Sequence, residues 1–278
     1  MAATPTVQIL LLMTCMIGTL SNSSLLVVLL SNRKLLKQAS NILVLSMIVS
    51  DFLLAAIYLD HRIKTLDVRL KELAQERNTH VQIIGMAALV LILLNLVALT
   101  VERFIAIKFP FQYRKSFKRR HIYYAIALIW TIPTIWAAIA AIMQKKSTVH
   151  SFCVYTMLVT VPCSTIVLLV SNVHIFVEAH KQIKAVSHTR VQTTPKTISN
   201  KRLKQEMKAV YICFGLTLLF IVSWLPSMIA HTILYFTKRE LINIKIVTII
   251  WQFSPVLDPI LYVVVNRDLR DTLKKTCV

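Results

Sequence analysis

Residues 79–104 read THVQIIGMAALVLILLNLVALTVERF and contain no Asp, Glu, Lys or Arg before Glu102. A helix needs about 20 predominantly apolar residues to cross the hydrocarbon core of a bilayer, so this stretch is long enough. Comparable apolar runs recur along the chain. They fall at about 8–31, 40–59, 79–104, 122–143, 152–177, 207–236 and 242–265. The sequence therefore predicts seven membrane spans.

The composition of the 278 residues also indicates a membrane protein. Hydrophobic residues make up 56% and charged residues 16%, whereas soluble domains are about 45–50% apolar and about 25% charged. The 3 glycines argue against glycine-rich phosphate loops and glycine-packed transporter helices. Short alternating strands of a membrane barrel are not seen in the sequence. We expect an all-α membrane protein, with residues 1–278 forming one seven-transmembrane helix bundle and residues 266–276 a short C-terminal amphipathic helix.

The basic residues are distributed unevenly between the two sides of these spans. Of the 32 Lys and Arg residues, 22 fall in the first, third and fifth connections and the tail, and 10 fall on the other side. Connections rich in Lys and Arg stay in the cytoplasm, which predicts an N-terminus outside and a C-terminus inside. The net charge of +20 is then explained by topology and by contact with the lipid bilayer, and no nucleic-acid partner is expected.

Four short motifs occur in order along the spans. They are LSMIVSD at 45–51, ERF at 102–104, SWLP at 223–226 and DPILY at 258–262. Together they resemble the helix-two Asp, D/E-R-Y/F, C-W-x-P and N/D-P-x-x-Y motifs of the rhodopsin-like (class A) G-protein-coupled receptors, over nearly the whole chain. The resemblance implies a plasma-membrane receptor, not an enzyme, that transmits an extracellular ligand signal to a heterotrimeric G protein. It also implies arrestin and a receptor kinase as partners, and no cofactor.

Two acids lie within apolar runs and need partners inside the bundle. A charged side chain at bilayer depth costs about 2.5–3.5 kcal/mol, so water, a cation or protonation must compensate Asp51 and Asp258. The resemblance assigns Asn22 and Ser254 to the same polar core. In the family, a helix-three Ser shares sodium with the helix-two Asp, but Ile92 occupies that position here. We therefore expect no metal site.

The inner end of the third span carries the charges that the resemblance links to G-protein coupling. It implies that Arg103, beside Glu102, pairs with Glu206 at the inner end of the sixth span and holds the two spans together. Breaking this pair would free Arg103 for the G protein, and Tyr262 belongs to the same coupling region. The alternative is that both charges are simply solvated at the membrane edge, where an exposed pair contributes about 0–1 kcal/mol.

The sixth span contains a predicted hinge. Pro226 lacks an N–H, which favours a kink, and Trp224 would then point into the bundle with Phe220 one turn below. In the family, repacking of such rings swings the inner half of helix six outward, while ordinary aromatic packing is the alternative here. Pro259 would loosen the seventh span in the same way.

Two positions constrain the ligand. Amine receptors carry an Asp where this chain has Gly85, and photoreceptors carry a Schiff-base Lys where it has Gln252. We expect a ligand that is neither a monoamine nor retinal, bound near Gly85, Trp224 and Gln252. The outer side has 10 basic and 5 acidic residues, which favours an anionic ligand or a lipid headgroup.

The sequence departs from the family at its usual disulfide. We place Cys153 in the second outer loop, but the helix-three position is Asn78, so the bridge is not expected. Receptors of the melanocortin, lysophospholipid and cannabinoid branches share this departure. In the fifth span, either Asn172 or Pro162 sets the register. Near the end of the chain, Cys277 is either palmitoylated or a free thiol.

Two other functional classes were weighed against a receptor. A multi-span transporter would show inverted repeats and glycine-broken helices, and neither is seen in the sequence. An intramembrane aspartyl protease would need two close carboxylates sharing a proton. Asp51 and Asp258 would be its candidates, but the Gly-x-Gly-Asp signature of that family is missing.

Overall fold

The computed structural model describes residues 5–32, 35–37, 39–66, 78–109, 111–113, 119–143, 145–188, 196–265 and 270. Within these ranges the chain is helical, with short turns and no β-strand. The helices are α1 (Pro5–Ser31), α2 (Ala39–Leu66), α3 (Asn78–Lys108), α4 (Arg119–Ile142), α5 (Lys146–His188), α6 (Lys196–Thr237), α7 (Ile244–Gln252) and α8 (Ser254–Val265), with a 3-10 turn at Leu35–Lys37. Seven spans are long and apolar enough to cross a membrane, the last formed by α7 and α8 together. The predicted all-α membrane bundle is confirmed.

Several helices extend beyond the predicted apolar runs. α2 continues to Leu66, α5 begins at Lys146 and continues to His188, and α6 begins at Lys196. Apolar composition marks only the part of a helix that lies in hydrocarbon. The backbone hydrogen bonds of a helix continue equally well in water, so polar and charged turns prolong these helices past the bilayer.

The seventh span is broken at Phe253. Its backbone N–H donates to Ile250 O at 3.2 Å, and its own carbonyl accepts from the N–H of Val256 and of Leu257, each at 3.0 Å. Pro255 lacks an N–H and cannot bond to the carbonyl of Trp251. The sequence predicts that Pro259 loosens this span; α8 stays helical across Pro259, although this proline has no N–H to donate to the carbonyl of Pro255. The break at Phe253 lies six residues earlier.

The third helix lies at the centre of the bundle. α3 contacts α2, α4, α5 and α6 and is the most buried of the seven spans, whereas α4 is the least buried. The outward faces are apolar, as a bilayer requires. On α5, Val159, Ile166 and Val173 recur every seven residues and are 63%, 62% and 60% exposed. We call the end of the bundle at the α2–α3 connection the outer end and the opposite end the inner end, following the predicted orientation.

Cys153 is not in a loop, contrary to the sequence prediction. It lies in the early turns of α5, is buried, and packs with Ile83 of α3 and Val149 of its own helix. The thiol is free. The start of α5 is held to α3 by a hydrogen bond of 2.9 Å between Gln82 Nε2 and His150 Nδ1. Because α5 begins at Lys146, the predicted outer loop is much shorter than the sequence indicated.

Three sequence predictions fall outside the described residues. They concern the amphipathic helix at 266–276, of which only Arg270 is described, the lipidation of Cys277, and the side chain of Glu206, whose backbone belongs to α6. Arg270 Nη1 donates to the carbonyl of Val264 at 3.0 Å. These predictions remain predictions.

Candidate functional site

The inner end of α3 carries a compact charged cluster. Arg103 Nε lies 2.9 Å from Glu102 Oε2, and the Glu102 side chain is only 2% exposed. Tyr113, in the short helical stretch 111–113, donates its hydroxyl to Glu102 Oε1. Burial, reinforced by the Glu102 carboxylate, raises the pKa of Tyr113 above its ordinary value. The carboxylate is thus held from both sides, by a guanidinium and by a neutral phenol.

Arg103 is also close to the sixth span. Its charge lies within electrostatic range of Cys213, a fully buried residue of α6. Below this level, Ile107 of α3 packs in one buried cluster with Ile175 of α5 and Val210 of α6. The inner ends of the three helices are therefore closed against one another.

Asp51 and Asp258 come together in the middle of the bundle. They are 0% and 2% exposed, and their carboxyl groups interact electrostatically. Ser254 Oγ donates to Asp258 Oδ2 at 3.4 Å, while both carboxylate oxygens of Asp51 lack a hydrogen-bond donor among the described residues. Asn95 of α3 lies nearby and donates to Ser50 Oγ at 3.2 Å.

Asn22 contacts the seventh span at its break. Its Nδ2 donates to Pro255 O at 2.6 Å and to Gly18 O at 2.8 Å. Sequence reasoning expected Asn22 to bond near Asp51. The amide donates to the backbone carbonyl that follows Ser254, whose hydroxyl meets Asp258, and this contact fastens α1 to α8.

An aromatic column runs from the sixth span to the seventh and second. The Phe220 and Trp224 rings are 6.4 Å apart, the Trp224 and Trp251 rings stack at 5.0 Å, and the Tyr58 ring meets Trp251 edge-on at 5.0 Å. Trp224 is 4% exposed and faces the interior of the bundle. α6 remains helical across Pro226, just beyond this column.

The predicted ligand positions lie beside the column. An ideal Cβ on Gly85 would be 2.2 Å from Tyr58 Oη, so Tyr58 fills the space that a side chain at position 85 would need. Gln252 is 4% exposed, and neither end of its amide meets a hydrogen-bond partner in the described structure. The amide cannot form a Schiff base, which requires a primary amine.

Further contacts join the helices around this site. Asn172 of α5 donates to Thr217 Oγ1 of α6 at 2.9 Å. At the inner end of the seventh span, Tyr262 is buried and its hydroxyl donates to Met47 Sδ at 2.9 Å. Ile92, where the family's sodium-binding Ser would stand, is buried in the main apolar core.

Sequence reasoning missed Tyr58, Trp251 and Tyr113. A usable signal existed for the first two, since Tyr58 follows Asp51 by seven residues and Trp251 precedes Asp258 by seven. Two helical turns place Tyr58 on the interior face of α2 that carries Asp51. The same spacing in the sequence predicts an inward-facing Trp251, although the break at Phe253 interrupts the helix between Trp251 and Asp258. Tyr113 gave no such signal, because it lies in a short connection with no periodic pattern.

Comparisons with known proteins cover most of the chain. The model of a family described as 7 transmembrane receptor (rhodopsin family) matches residues 21–262. The chain is similar to melanocortin receptor 4 of Danio rerio, at 24% identity over 66% of this chain and 55% of that receptor. It is similar to a Gq-coupled rhodopsin of Mizuhopecten yessoensis, at 23% over 93% and 56%, and to melanocortin receptor 5 of Mus musculus, at 25% over 65% and 54%. The chain spans about half the length of these curated relatives.

Proposed function

The chain belongs to the rhodopsin family of seven-transmembrane receptors, and on this basis we propose that it transmits an extracellular ligand signal to a heterotrimeric G protein. The family match confirms the resemblance that the four motifs indicated. The proposal places the receptor in the plasma membrane, with its N-terminus outside and its C-terminus in the cytoplasm. Arrestin and a receptor kinase are further proposed partners.

The observation that carries the proposal is the pair of Arg103 and Glu102 at the inner end of α3. The 2.9 Å contact keeps the guanidinium against a buried carboxylate, which Tyr113 holds from the other side. In the proposed resting state, Arg103 also pairs with Glu206 of α6. Activation exchanges these intramolecular contacts for contacts with the G protein, which makes the pair a two-state element.

The signal would travel along α6. Trp224 is stacked on Trp251 of the seventh span, so a ligand that displaces either ring changes the packing of α6 at mid-membrane. A rigid helix with a proline at position 226 converts that change into outward movement of its inner half. The Asn172–Thr217 hydrogen bond and the apolar cluster around Val210 are the contacts that this movement would loosen.

The ligand would bind among the outer halves of the spans around Gly85, Trp224 and Gln252. Tyr58 occupies the space in front of Gly85, which supports a ligand other than a monoamine, since no carboxylate is offered there. One relative is named as a rhodopsin, but the amide of Gln252 supports a ligand other than retinal.

The proximity of Asp51 and Asp258 does not favour a protease. The chain belongs to a family of receptors rather than enzymes, and both acids are buried in the centre of the bundle, away from any surface that a peptide could reach. We propose that they form a polar core whose protonation or hydration differs between the two receptor states.

The proposal is tested by G-protein nucleotide exchange in membranes that contain the full chain. Each class of heterotrimeric G protein is assayed for exchange above that of membranes lacking the receptor. Arg103→Ala should abolish the excess, because it removes the group assigned to the transducer. Arg120→Ala is the matched control, since it deletes an exposed guanidinium at the inner end of α4 and should leave exchange unchanged. Exchange that survives in Arg103→Ala would contradict the proposal.

A further inference from the structure

Arg62, in the outer half of α2, has no ion-pair partner among the residues that the structure describes. Its Nε is buried and donates to no described residue. The neighbouring acid Asp60 is paired with Lys64 at 2.5 Å, and the groups within electrostatic range of Arg62 include Cys15 and Tyr58, both neutral at physiological pH. The side chain is partly exposed, but its Nε–H has lost contact with water without gaining an acceptor, which is costly.

Two further buried polar groups nearby also lack partners. Neither Nε2 nor Oε1 of Gln252 has a hydrogen-bond partner among the described residues, and the same is true of Trp224 Nε1. Each side chain is 4% exposed. Buried donors and acceptors are rarely left unsatisfied in native proteins, and donors at three positions without acceptors favour a ligand that brings acceptor oxygens.

The three groups surround one contact between the second and seventh spans. Tyr58 meets Trp251 with ring centroids 5.0 Å apart. Arg62 lies about one helical turn outward from Tyr58, Gln252 follows Trp251 directly, and Trp224 stacks on Trp251. Residues that carry a cation, an amide and an indole therefore flank this contact, on α2, α7 and α6.

The third helix offers no ionic anchor at this depth. Gly85 has no side chain, and Tyr58 Oη occupies the space beside it. The charge available to a ligand here therefore comes from the second helix and is positive.

We propose that Arg62 is the anchor for an anionic ligand, whose acidic group meets the guanidinium fork while its apolar body lies against Trp251 and Trp224. A carboxylate or a phosphate matches the planar fork in two parallel hydrogen bonds. Gln252 completes the set by donating its amide to the same group. This inference rests on the proposed function, since it names the ligand class of the same receptor, and it leaves open whether the anion is a free organic acid or the headgroup of a lipid.

The test is ligand-induced thermal stabilisation of the purified full chain in detergent. The probes are 3-phenylpropanoate, indole-3-acetate and decanoate, each compared with its own primary amide, and lysophosphatidate in mixed micelles compared with the neutral monoacylglycerol. Binding to the folded state alone raises the melting temperature according to ligand concentration and affinity. The rise in melting temperature caused by an acid, minus the rise caused by its neutral counterpart, gives the contribution of the negative charge.

Four variants test which side chain of the protein binds the negative charge of the ligand. Arg62→Gln should weaken binding of the acid about tenfold to a hundredfold, the usual effect of losing a charge-assisted hydrogen bond, and should leave the neutral probe unaffected. Arg62→Lys keeps the charge but loses the fork, so its loss should be intermediate. Gln252→Leu should weaken binding less than Arg62→Gln. Arg239→Gln deletes an exposed guanidinium at the outer end of α6 and should behave like the parent chain.

Each outcome is decisive. At least one acid should stabilise the parent chain more than its neutral counterpart, and this advantage should disappear in Arg62→Gln. An advantage seen only for lysophosphatidate, and lost in Arg62→Gln, supports the anion site and assigns the acid to a lipid headgroup. No advantage for any acid, or an advantage that survives Arg62→Gln, overturns the inference.

The unliganded melting temperature separates folding from binding. Because Arg62→Gln removes an uncompensated charge, its melting temperature without ligand should equal or exceed that of the parent chain, whereas a purely structural role would lower it and would overturn the inference. The melting assay contains no G protein, so it reports on ligand binding alone. If an acid binds in this assay but the receptor stimulates no nucleotide exchange in the G-protein assay, the proposed function is contradicted and the anion site still stands.

Discussion

Tyr58 and Gly85 share one space between the second and third helices. An ideal Cβ at Gly85 would lie 2.2 Å from Tyr58 Oη, closer than these atoms can approach, and 3.1 Å from its Cζ, which is a tight contact. The Tyr58 ring has little freedom to retreat, because it packs edge-on against Trp251. The glycine is thus required by the tyrosine, and together they determine what a ligand meets at this depth.

Gly85→Ala should destabilise the receptor. A methyl group in a filled core costs about 1–3 kcal/mol, which outweighs the gain of about 1 kcal/mol that alanine brings to a helix interior. The measurement is the melting temperature of the purified receptor. Gly18→Ala is the control, because its Cβ would make an ordinary contact of 3.4 Å with Ala55, and it should be neutral or stabilising.

The same clash can be relieved from the other side. Tyr58→Phe removes Oη, so the double variant with Gly85→Ala should recover much of the stability that Gly85→Ala alone loses. Strictly additive effects of the two substitutions would show that the contact is absent.

Tyr113→Phe should also destabilise the receptor. It removes the hydroxyl that donates to Glu102 Oε1 and leaves a buried carboxylate oxygen with one partner fewer, at a cost of about 1–3 kcal/mol. Thermal melting is again the assay. Tyr123→Phe, on an exposed face of α4, should have no effect. Equal melting temperatures for the two variants would show that the Tyr113 hydroxyl does not stabilise the charged cluster.

Glu206→Ala should raise ligand-independent nucleotide exchange. The substitution removes the proposed partner of Arg103 on α6 and shifts the receptor toward the active state. Glu178→Ala is the control, since it deletes a carboxylate of α5 that pairs with Lys181 at 3.9 Å. A basal rate equal to that of the parent chain, at matched surface expression, would argue against the ionic lock.

Asp51→Asn should stabilise the receptor by on the order of 1 kcal/mol, because burial penalises the ionised carboxylate of Asp51 and the neighbouring Asp258 adds repulsion between the two charges. Asp258→Asn should add less in the Asp51→Asn background than alone, since the repulsion is already gone. Melting temperatures of the two single variants and the double variant test this, with the exposed Asp60→Asn as control. A lower melting temperature for Asp51→Asn, seen only in sodium, would instead reveal a bound cation.

The seven spans could be predicted because hydrocarbon imposes a minimum apolar length on every helix that crosses it. Two features of the fold could not be predicted with the same rule. Helix ends beyond the bilayer, such as Leu66 and Lys146, are set by local backbone bonding rather than by hydropathy. The break at Phe253 depends on Pro255. The same span also contains Pro259, and the sequence alone does not show which of the two prolines interrupts the helix.

Several motif residues were expected inside the bundle and are buried there, but the motifs did not predict which residues touch. Trp224 is inside the bundle as expected, but its partner Trp251 was not foreseen, because contacts between helices depend on how each is rotated against its neighbours. Asn22 was expected in the polar core around Asp51, but its bond to Pro255 O was not foreseen. That carbonyl is available because its helical donor would be the N–H of residue 259, which is a proline.

The central claim is that the inner half of α6 moves away from the bundle when the receptor engages its G protein. Spin labels at Tyr123 and Tyr211 report on the inner ends of α4 and α6, and labels at Ile142 and Phe236 report on the outer ends, all four positions being exposed. The exposed Cys163 is replaced by Ser beforehand. Binding of nucleotide-free G protein should lengthen the Tyr123–Tyr211 distance and leave the Ile142–Phe236 distance unchanged. An unchanged inner distance in the complex would contradict the account.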